Sequence, residues 1–164
     1  MNTNYKILGV FLLTLIIVVC ISGLANADNN EYTIQIQNVS DTQFRCNTDY
    51  CTESFGTTIC NLHAPSIYDI ITSIQDVPIE IIDIRTPQDY QESHLEGAKN
   101  IYYADSDFAD QLAYLNKTEP VIVYCRTGMY SESILPIMQE MGFSTILNLE
   151  YGIDEWILDG YPVI

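Results

Sequence analysis

The fold is decided by the stretch Val121-Ile122-Val123-Tyr124-Cys125-Arg126-Thr127-Gly128-Met129-Tyr130-Ser131. Its first four residues are β-branched or aromatic and uninterrupted, which is typical of a parallel strand covered on both faces. From Ser131 onward, apolar residues recur at helical spacing until Gly142, and this pattern predicts a helix. The stretch therefore predicts a buried strand, a short loop and a helix.

The cysteine of this stretch, Cys125, lies where the predicted strand ends. A thiol there faces backbone N–H groups of the turn and the positive end of the following helix, and both favour the thiolate. Gly128 allows the loop to curl so that its amides point inward as an anion-binding nest. The pattern predicts a nucleophilic sulfur held in a cradle for an anion.

The rest of the chain alternates strand and helix patterns, which predicts an α/β fold with an open, mainly parallel sheet. A helix begins near Pro65, with isoleucines on its core face, and Thr86-Pro87 is a helix N-cap followed by proline at the first helical position. The predicted strands are 57–62, 77–84, 100–102, 121–124 and 144–149, and the further helices are 105–116 and 153–158.

Three motifs in order resemble the rhodanese family of single-domain sulfurtransferases. They are the loop 125–131, the segment 81–101 with its Asp-Ile-Arg and His-Leu-Glu-Gly-Ala-Lys-Asn-Ile runs, and the segment 148–163 with its Trp and Gly-Tyr-Pro-Val. The resemblance implies that helices flank both faces of the sheet in a domain covering 57–164. A short Cys-containing extension, 28–56, precedes that domain.

The resemblance also implies a site and a reaction. Cys125 takes sulfane sulfur from thiosulfate or a persulfide as an enzyme persulfide and passes it to a thiol or to cyanide, with no cofactor and no metal. The residues expected to line the pocket are Arg126, Thr127, Gly128, Met129, Tyr130 and Ser131, with Arg85 as a further candidate. Many relatives have arginine where Tyr130 stands, and this departure favours a neutral thiol or a partner-bound persulfide over an anionic donor.

Two polar groups outside the loop are interpreted as structural. Asp83 and Arg85, one residue apart at a strand end, can hold neighbouring loops through charge-assisted hydrogen bonds. His94 is expected to bond backbone groups and stabilise its turn, because sulfur transfer through a persulfide needs no strong base.

Two other functions remain open from the residues. One is a non-catalytic or redox-active binding module of the same fold. The other is oxyanion chemistry of the phosphatase or arsenate reductase type, which needs an arginine six residues after the cysteine to bind the oxyanion bidentately. That position holds Ser131, and sulfur transfer is therefore favoured.

The composition limits the partners. The chain of 164 residues has 22 Asp and Glu against 6 Lys and Arg, a net charge of −16. The negative electrostatic field of such a charge repels nucleic acid and anionic membrane surfaces and favours basic partner proteins. The same charge on a solvated surface also keeps a protein soluble.

The N-terminus predicts export. Lys6 precedes an uncharged run with an apolar centre, and Ala25-Asn26-Ala27 is a cleavage site, so residues 1–27 are interpreted as a secretory signal peptide. An uncleaved anchor over 7–24 is the alternative, since that stretch is just long enough to span a membrane. The exported part would carry glycosylation sequons at Asn38 and Asn116.

Three further cysteines, Cys46, Cys51 and Cys60, lie close together in the sequence, with His63 shortly after. A disulfide is the default outside the cell. If Cys60 is simply buried in its strand, Cys46 and Cys51 form the pair. The alternatives are a Cys3His zinc site and a resolving thiol that bonds to Cys125.

Overall fold

The computed structural model describes residues 31–35, 43–47, 50–73 and 78–164, with side chains from Cys51 onward. The predicted signal peptide or anchor, the sequon at Asn38 and the side chain of Cys46 lie outside the described part. Within that part, no helix has both the length and the apolar character needed to cross a lipid bilayer.

The described residues form eight strands and five helices. In chain order these are β1 (Glu31–Gln35), β2 (Gln43–Asn47), β3 (Tyr50–Ser54), β4 (Thr57–Leu62), α1 (Ala64–Ser73), β5 (Glu80–Asp83), α2 (Pro87–Glu92), β6 (Ala98–Asn100), α3 (Phe108–Ala113), β7 (Val121–Tyr124), α4 (Met129–Glu140), β8 (Thr145–Leu149) and α5 (Gly152–Leu158). Strands β1 and β2 form an antiparallel pair, and the other six form one sheet in the order β3-β4-β8-β7-β5-β6. Only β3 is antiparallel to its neighbour, β4. The predicted open, mainly parallel α/β sheet is confirmed.

Helices cover both faces of this sheet, because consecutive strand residues point to opposite sides. On one face, Ile122 and Tyr124 of β7 belong to a core that includes Ile67 of α1 and Trp156 of α5. On the other face, Val121 and Val123 pack in a core with buried residues of α3 and α4. All four residues of β7 are buried, as expected of a strand between two helical layers.

Several elements differ from the sequence prediction: β2 and β3 were not predicted, and the strand predicted at 77–84 is the shorter β5. The strand predicted at 100–102 is β6, Ala98–Asn100, and the helix predicted over 105–116 is the shorter α3. Between β6 and α3 the chain makes turns, in which the N–H of Asp105 donates to the carbonyl oxygen of Tyr102 at 3.1 Å and that of Phe108 to the carbonyl oxygen of Asp105 at 3.2 Å. The N–H of Tyr103 donates to the carbonyl oxygen of Ile84 at 3.2 Å. This bond draws the Tyr102-Tyr103 pair over the carboxyl end of β5.

The disulfide joins Cys51 and Cys60, so the expected pair of Cys46 with Cys51 is wrong. The two half-cystines lie directly opposite each other in the antiparallel register of β3 and β4, which brings their side chains together on one side of the hairpin. The zinc alternative is wrong as well, because two of its three sulfurs are bonded to each other. Disulfides form mainly in oxidising compartments, and the export of this chain stays a prediction.

Reduction of this disulfide should lower the free energy of unfolding by about 2–3 kcal/mol, because the bond closes a short loop and restricts the unfolded chain. We expect the denaturation midpoint to fall when dithiothreitol is added to the wild type. A Cys51→Ala, Cys60→Ala variant should unfold at the lower midpoint with or without the reductant. An equal response of wild type and variant to dithiothreitol would show that this bond contributes nothing.

Candidate active site

The carboxyl ends of the parallel strands place Cys125 in a crevice. Strand β7 has β5 on one side and β8 on the other, and the chain leaves β5 and β7 toward opposite edges of the sheet. Such a switch point opens a crevice outside the strand ends. Cys125 directly follows β7 and is 2% exposed. It is also the one free cysteine among those whose side chains the structure describes.

The sulfur of Cys125 accepts a backbone hydrogen bond at the N-terminus of α4. The N–H of Gly128 donates to Sγ at 3.2 Å. The hydroxyl of Ser131 lies 3.8 Å from Sγ and 3.0 Å from the carbonyl oxygen of Gly128, so the shorter hydrogen bond of Ser131 is to the backbone. No side chain caps α4 at Gly128, and the sulfur therefore meets a free helix N-terminus, which stabilises negative charge.

The loop after Cys125 rests directly on the turn after β8. A Cβ on Gly128, whose φ is +89°, would lie 1.6 Å from the carbonyl oxygen of Glu150. In return, a Cβ on Gly152 would lie 2.3 Å from the carbonyl oxygen of Arg126. Only glycine fits at either position, and the two backbones hold each other in place.

Helix α5 also stabilises the loop. The N–H groups of Ile153 and Asp154 donate to the carbonyl oxygens of Cys125 and Arg126, each at 3.0 Å. No side chain caps α5, so the loop carbonyls satisfy N–H groups that a helix N-terminus leaves free. The loop is thus held between two helix N-termini, with the sulfur at one and the carbonyls at the other.

Arg126 forms an ion pair with a helix across the crevice. Its Nη2 donates to Oδ1 of Asp89 in the first turn of α2. Thr86, the N-cap of α2, accepts from the N–H of Asp89 at 3.1 Å, and its hydroxyl lies 2.7 Å from Oδ2. The hydrogen bond from Thr86 and then the ion pair with Arg126 lower the pKa of Asp89. The only cation of the loop therefore already has a carboxylate partner.

Tyrosines line one side of the loop. The ring of Tyr130 stacks on that of Tyr103 with centroids 4.3 Å apart, and Tyr102 meets Tyr103 edge-on at 5.3 Å. A hydrogen bond with Tyr130, helped by desolvation and by neighbouring charges that include Cys125, raises the pKa of Tyr103 to about 12. Tyr130 is 48% exposed, so this stack lies at the surface beside the sulfur.

Asp83 and Arg85 form a buried ion pair, as predicted. The Nε and Nη2 atoms of Arg85 bind the carboxylate of Asp83 at 2.6–3.0 Å, and Nη2 also donates to the carbonyl oxygen of Ser93 at 2.5 Å. Burial disfavours the charged guanidinium, but the hydrogen bonds and charge of Asp83 outweigh this and raise the pKa of Arg85. These contacts support the structural interpretation of Arg85 over a direct role.

His94 stabilises its turn, as expected. Its Nδ1 lies 2.8 Å from the carbonyl oxygen of Tyr90, and its ring stacks on Tyr90 with centroids 3.8 Å apart. The backbone of His94 exchanges two hydrogen bonds of 2.9 Å with Ile164, which attaches the last residue of the chain to this turn. The imidazole is therefore a structural group.

The predicted loop residues occupy different surroundings. Gly128 and Ser131 are buried at the sulfur, whereas Thr127, Met129 and Tyr130 are exposed around it. Asp89 and Tyr103 are further residues of the site that were not predicted. Tyr103 directly follows the predicted strand 100–102, and Asp89 lies in the first turn of the helix predicted to start at Thr86-Pro87, so position after a strand end was the available signal for both.

The sequence model of the rhodanese-like domain family matches residues 66–159, which is more than half of the chain. The chain belongs to the rhodanese-like domain family. It is 36% identical over 67 residues to the thiosulfate sulfurtransferase PspE of Escherichia coli, covering 41% of this chain and 64% of that protein. It is 31% identical over 84 residues to the probable adenylyltransferase/sulfurtransferase MoeZ of Mycobacterium tuberculosis, covering 51% of this chain and 21% of that protein.

The fold comparison agrees with this family. The crystal structure of a rhodanese-related protein from Thermoplasma volcanium superimposes with a TM-score of 0.55 at 23% identity, covering 63% of this chain and 96% of that one. The chain therefore has the rhodanese-like fold, with relatives named as thiosulfate sulfurtransferases. It spans about a fifth of MoeZ and less than two thirds of PspE.

Proposed function

We propose that this rhodanese-like protein is a sulfurtransferase in which Cys125 accepts sulfane sulfur and passes it to a thiol or to cyanide. The observation that carries the proposal is the position of Sγ, which accepts the N–H of Gly128 at 3.2 Å at the uncapped N-terminus of α4. Backbone dipoles that already point at the sulfur stabilise its negative charge without any rearrangement. The family relatives named as sulfurtransferases support the same chemistry.

In the first step the thiolate of Cys125 attacks the outer sulfur of the donor. A new S–S bond forms, and the bond between the donor's two sulfur atoms breaks. The electron pair of the broken bond leaves with the remainder of the donor, which is sulfite from thiosulfate or a thiolate from an organic persulfide. The product is a persulfide on Cys125.

In the second step an acceptor thiolate or cyanide attacks the outer sulfur of the protonated persulfide. The S–S bond of the enzyme breaks, and its electron pair returns to the sulfur of Cys125. The N–H of Gly128 then meets a thiolate again, and the same hydrogen bond stabilises the start and the end of the cycle. Neither step requires a metal or a strong base.

Mass spectrometry of the intact protein tests this proposal. After treatment with millimolar thiosulfate or with 2-hydroxyethyl persulfide, the protein should gain one sulfur atom at Cys125. Cyanide should then remove that atom as thiocyanate. A Cys125→Ser variant should gain no cyanide-labile sulfur, because a serine hydroxyl is not ionised at neutral pH.

A variant with the other described cysteines removed, Cys51→Ala with Cys60→Ala, is the matched control and should still take up one sulfur. If neither donor transfers sulfur to the wild type, the protein is a binding module of the same fold and the proposal is wrong. Labile sulfur on the Cys125→Ser variant would equally contradict it, because the carrier would then be another group.

A further inference from the structure

We propose that the entrance to Cys125 selects organic persulfides and thiols whose carbon part carries no negative charge, through the Tyr103–Tyr130 stack and the pairing of Arg126 with Asp89. This inference rests on the proposed function and names the substrate class for the same site. It concerns a preference among donors, and so it can fail while sulfur transfer itself is confirmed.

The first argument is that, from Cys51 onward, no described cation near the sulfur is without an oxygen partner. From Cys51 to Ser73 and from residue 78 to the C-terminus, the sequence has four Lys and Arg residues. Arg85 pairs with Asp83, Lys99 with Glu80 and Arg126 with Asp89. The ammonium group of Lys117 donates to a backbone carbonyl at 2.9 Å. Each described cation therefore already has an oxygen partner.

The second argument is the chemistry of the wall beside the sulfur. Tyr103 and Tyr130 present stacked rings, and Met129, which is 67% exposed, adds an apolar side chain at the start of α4. Aromatic faces carry partial negative charge, so they attract apolar or cationic groups rather than anions. The stack can bind the carbon part of a small organosulfur molecule. One of its two hydroxyl groups donates to the other, and the accepting hydroxyl can donate a hydrogen bond to a neutral polar end.

The third argument is the overall field. A net charge of −16 lowers the local concentration of anions around the crevice, and fields of this kind change encounter rates by about 10–1,000-fold. The N–H of Gly128 stabilises one negative sulfur, but it cannot compensate for a second negative charge on the body of the donor. Binding of a dianion such as thiosulfate is therefore opposed by two effects. One is the negative electrostatic field of the protein, and the other is the aromatic surface of the Tyr103–Tyr130 stack.

Three small donors of similar length test this preference. They are the persulfides of cysteamine, 2-mercaptoethanol and 3-mercaptopropionate, which carry a positive, a neutral and a negative end. The measurement is the rate at which Cys125 gains one sulfur atom, followed by rapid quenching and mass spectrometry. Each rate is divided by the rate with a short cysteine peptide, which removes the intrinsic reactivity of the donor.

The normalised rate with the neutral donor should exceed that with the negative donor by about 10-fold, and the positive donor should be at least as fast as the neutral one. The difference should shrink in high salt, because the part due to the field is screened. Equal or faster reaction of the negative donor, or of thiosulfate, would overturn the inference. No sulfur transfer from any donor would overturn the proposed function and this inference together.

Two variants locate the source of the preference. Asp89→Asn releases Arg126, and Tyr130→Arg adds a cation to the wall, so each should reduce the discrimination against the negative donor several-fold. Glu80→Gln is the matched control. It also removes one carboxylate and releases one cation, Lys99, but it lies at the first residue of β5, at the opposite end of the sheet from Cys125. An equal effect of Asp89→Asn and Glu80→Gln would show that the pairing of Arg126 has no specific role.

Discussion

Replacement of Gly128 with alanine is expected to destabilise the protein by about 4 kcal/mol, because two separate costs add. The backbone φ of +89° is one that residues with a Cβ rarely adopt. The new Cβ would also lie 1.6 Å from the carbonyl oxygen of Glu150. Backbone cannot swing aside as a side chain can, so the loop or the turn after β8 must move. The measurement is the free energy of unfolding from denaturant titration.

Gly142→Ala separates these two costs. The φ of Gly142 is +86°, close to that of Gly128, but a Cβ there meets nothing within 4 Å. This control should lose only about 1 kcal/mol, the cost of the left-handed backbone conformation itself. The difference between the two variants then measures the close approach of the loop to Glu150. Similar losses in both variants would contradict the contact between the two backbones.

The Gly128→Ala variant should also take up sulfur more slowly. The N–H that contacts Sγ belongs to residue 128 itself, so a displaced backbone moves the donor away from the sulfur. Under the proposed function, Gly142→Ala should leave the rate of persulfide formation unchanged, because Gly142 follows the other end of α4. An unchanged rate in the folded Gly128→Ala protein would show that this hydrogen bond does not activate the sulfur.

Replacement of Arg85 with methionine is the second large effect, with an expected loss of about 3–5 kcal/mol. Asp83 is 0% exposed, and both of its carboxylate oxygens accept from the guanidinium. Methionine leaves a buried charge without its partner and removes the bond to the carbonyl oxygen of Ser93. The backbone N–H of residue 85 and the hydroxyl of Tyr124 would remain as the hydrogen-bond partners of Asp83. Denaturant unfolding at neutral pH measures the loss.

Lys99→Met is the matched control for this pair. Lys99 binds Glu80 at 2.6 Å, but its side chain is 61% exposed, and surface pairs contribute only about 0–1 kcal/mol. A second variant, Asp83→Leu with Arg85→Met, removes both charges and should recover much of the loss, because no isolated charge remains buried. If Arg85→Met and Lys99→Met cost the same, the pair of Asp83 and Arg85 does not stabilise the fold.

Much of the fold could be predicted from local sequence alone. The uninterrupted apolar run of β7 requires cover on both sides, and the two helical layers provide it. The Thr86-Pro87 start of α2 was predicted because its physics is local: the threonine oxygen accepts an N–H three residues away. The position of Cys125 at the end of a buried strand, before a glycine, likewise depends on near neighbours.

Other features required the tertiary structure, because they join residues that are distant in the sequence. The partner of Cys51 depends on the register of the β3–β4 hairpin, which places Cys60 opposite it. The pairing with Cys46 had followed from the expectation that Cys60 is simply buried in its strand. The need for glycine at 128 arises from the carbonyl oxygen of Glu150, which β8 brings to the loop. No local pattern contains that carbonyl.

Local sequence patterns were thus enough to predict the parallel strands, their helical layers and the position of the sulfur at a strand end, because hydrophobic periodicity and turn chemistry act within a few residues. The character of the crevice around that sulfur depends on contacts between distant segments. Asp89 neutralises Arg126 and Tyr103 stacks on Tyr130 because α2 and the segment after β6 meet the loop at the carboxyl edge of the sheet. Contacts between separate elements depend on how those elements pack, and packing cannot be predicted from any single segment of the sequence.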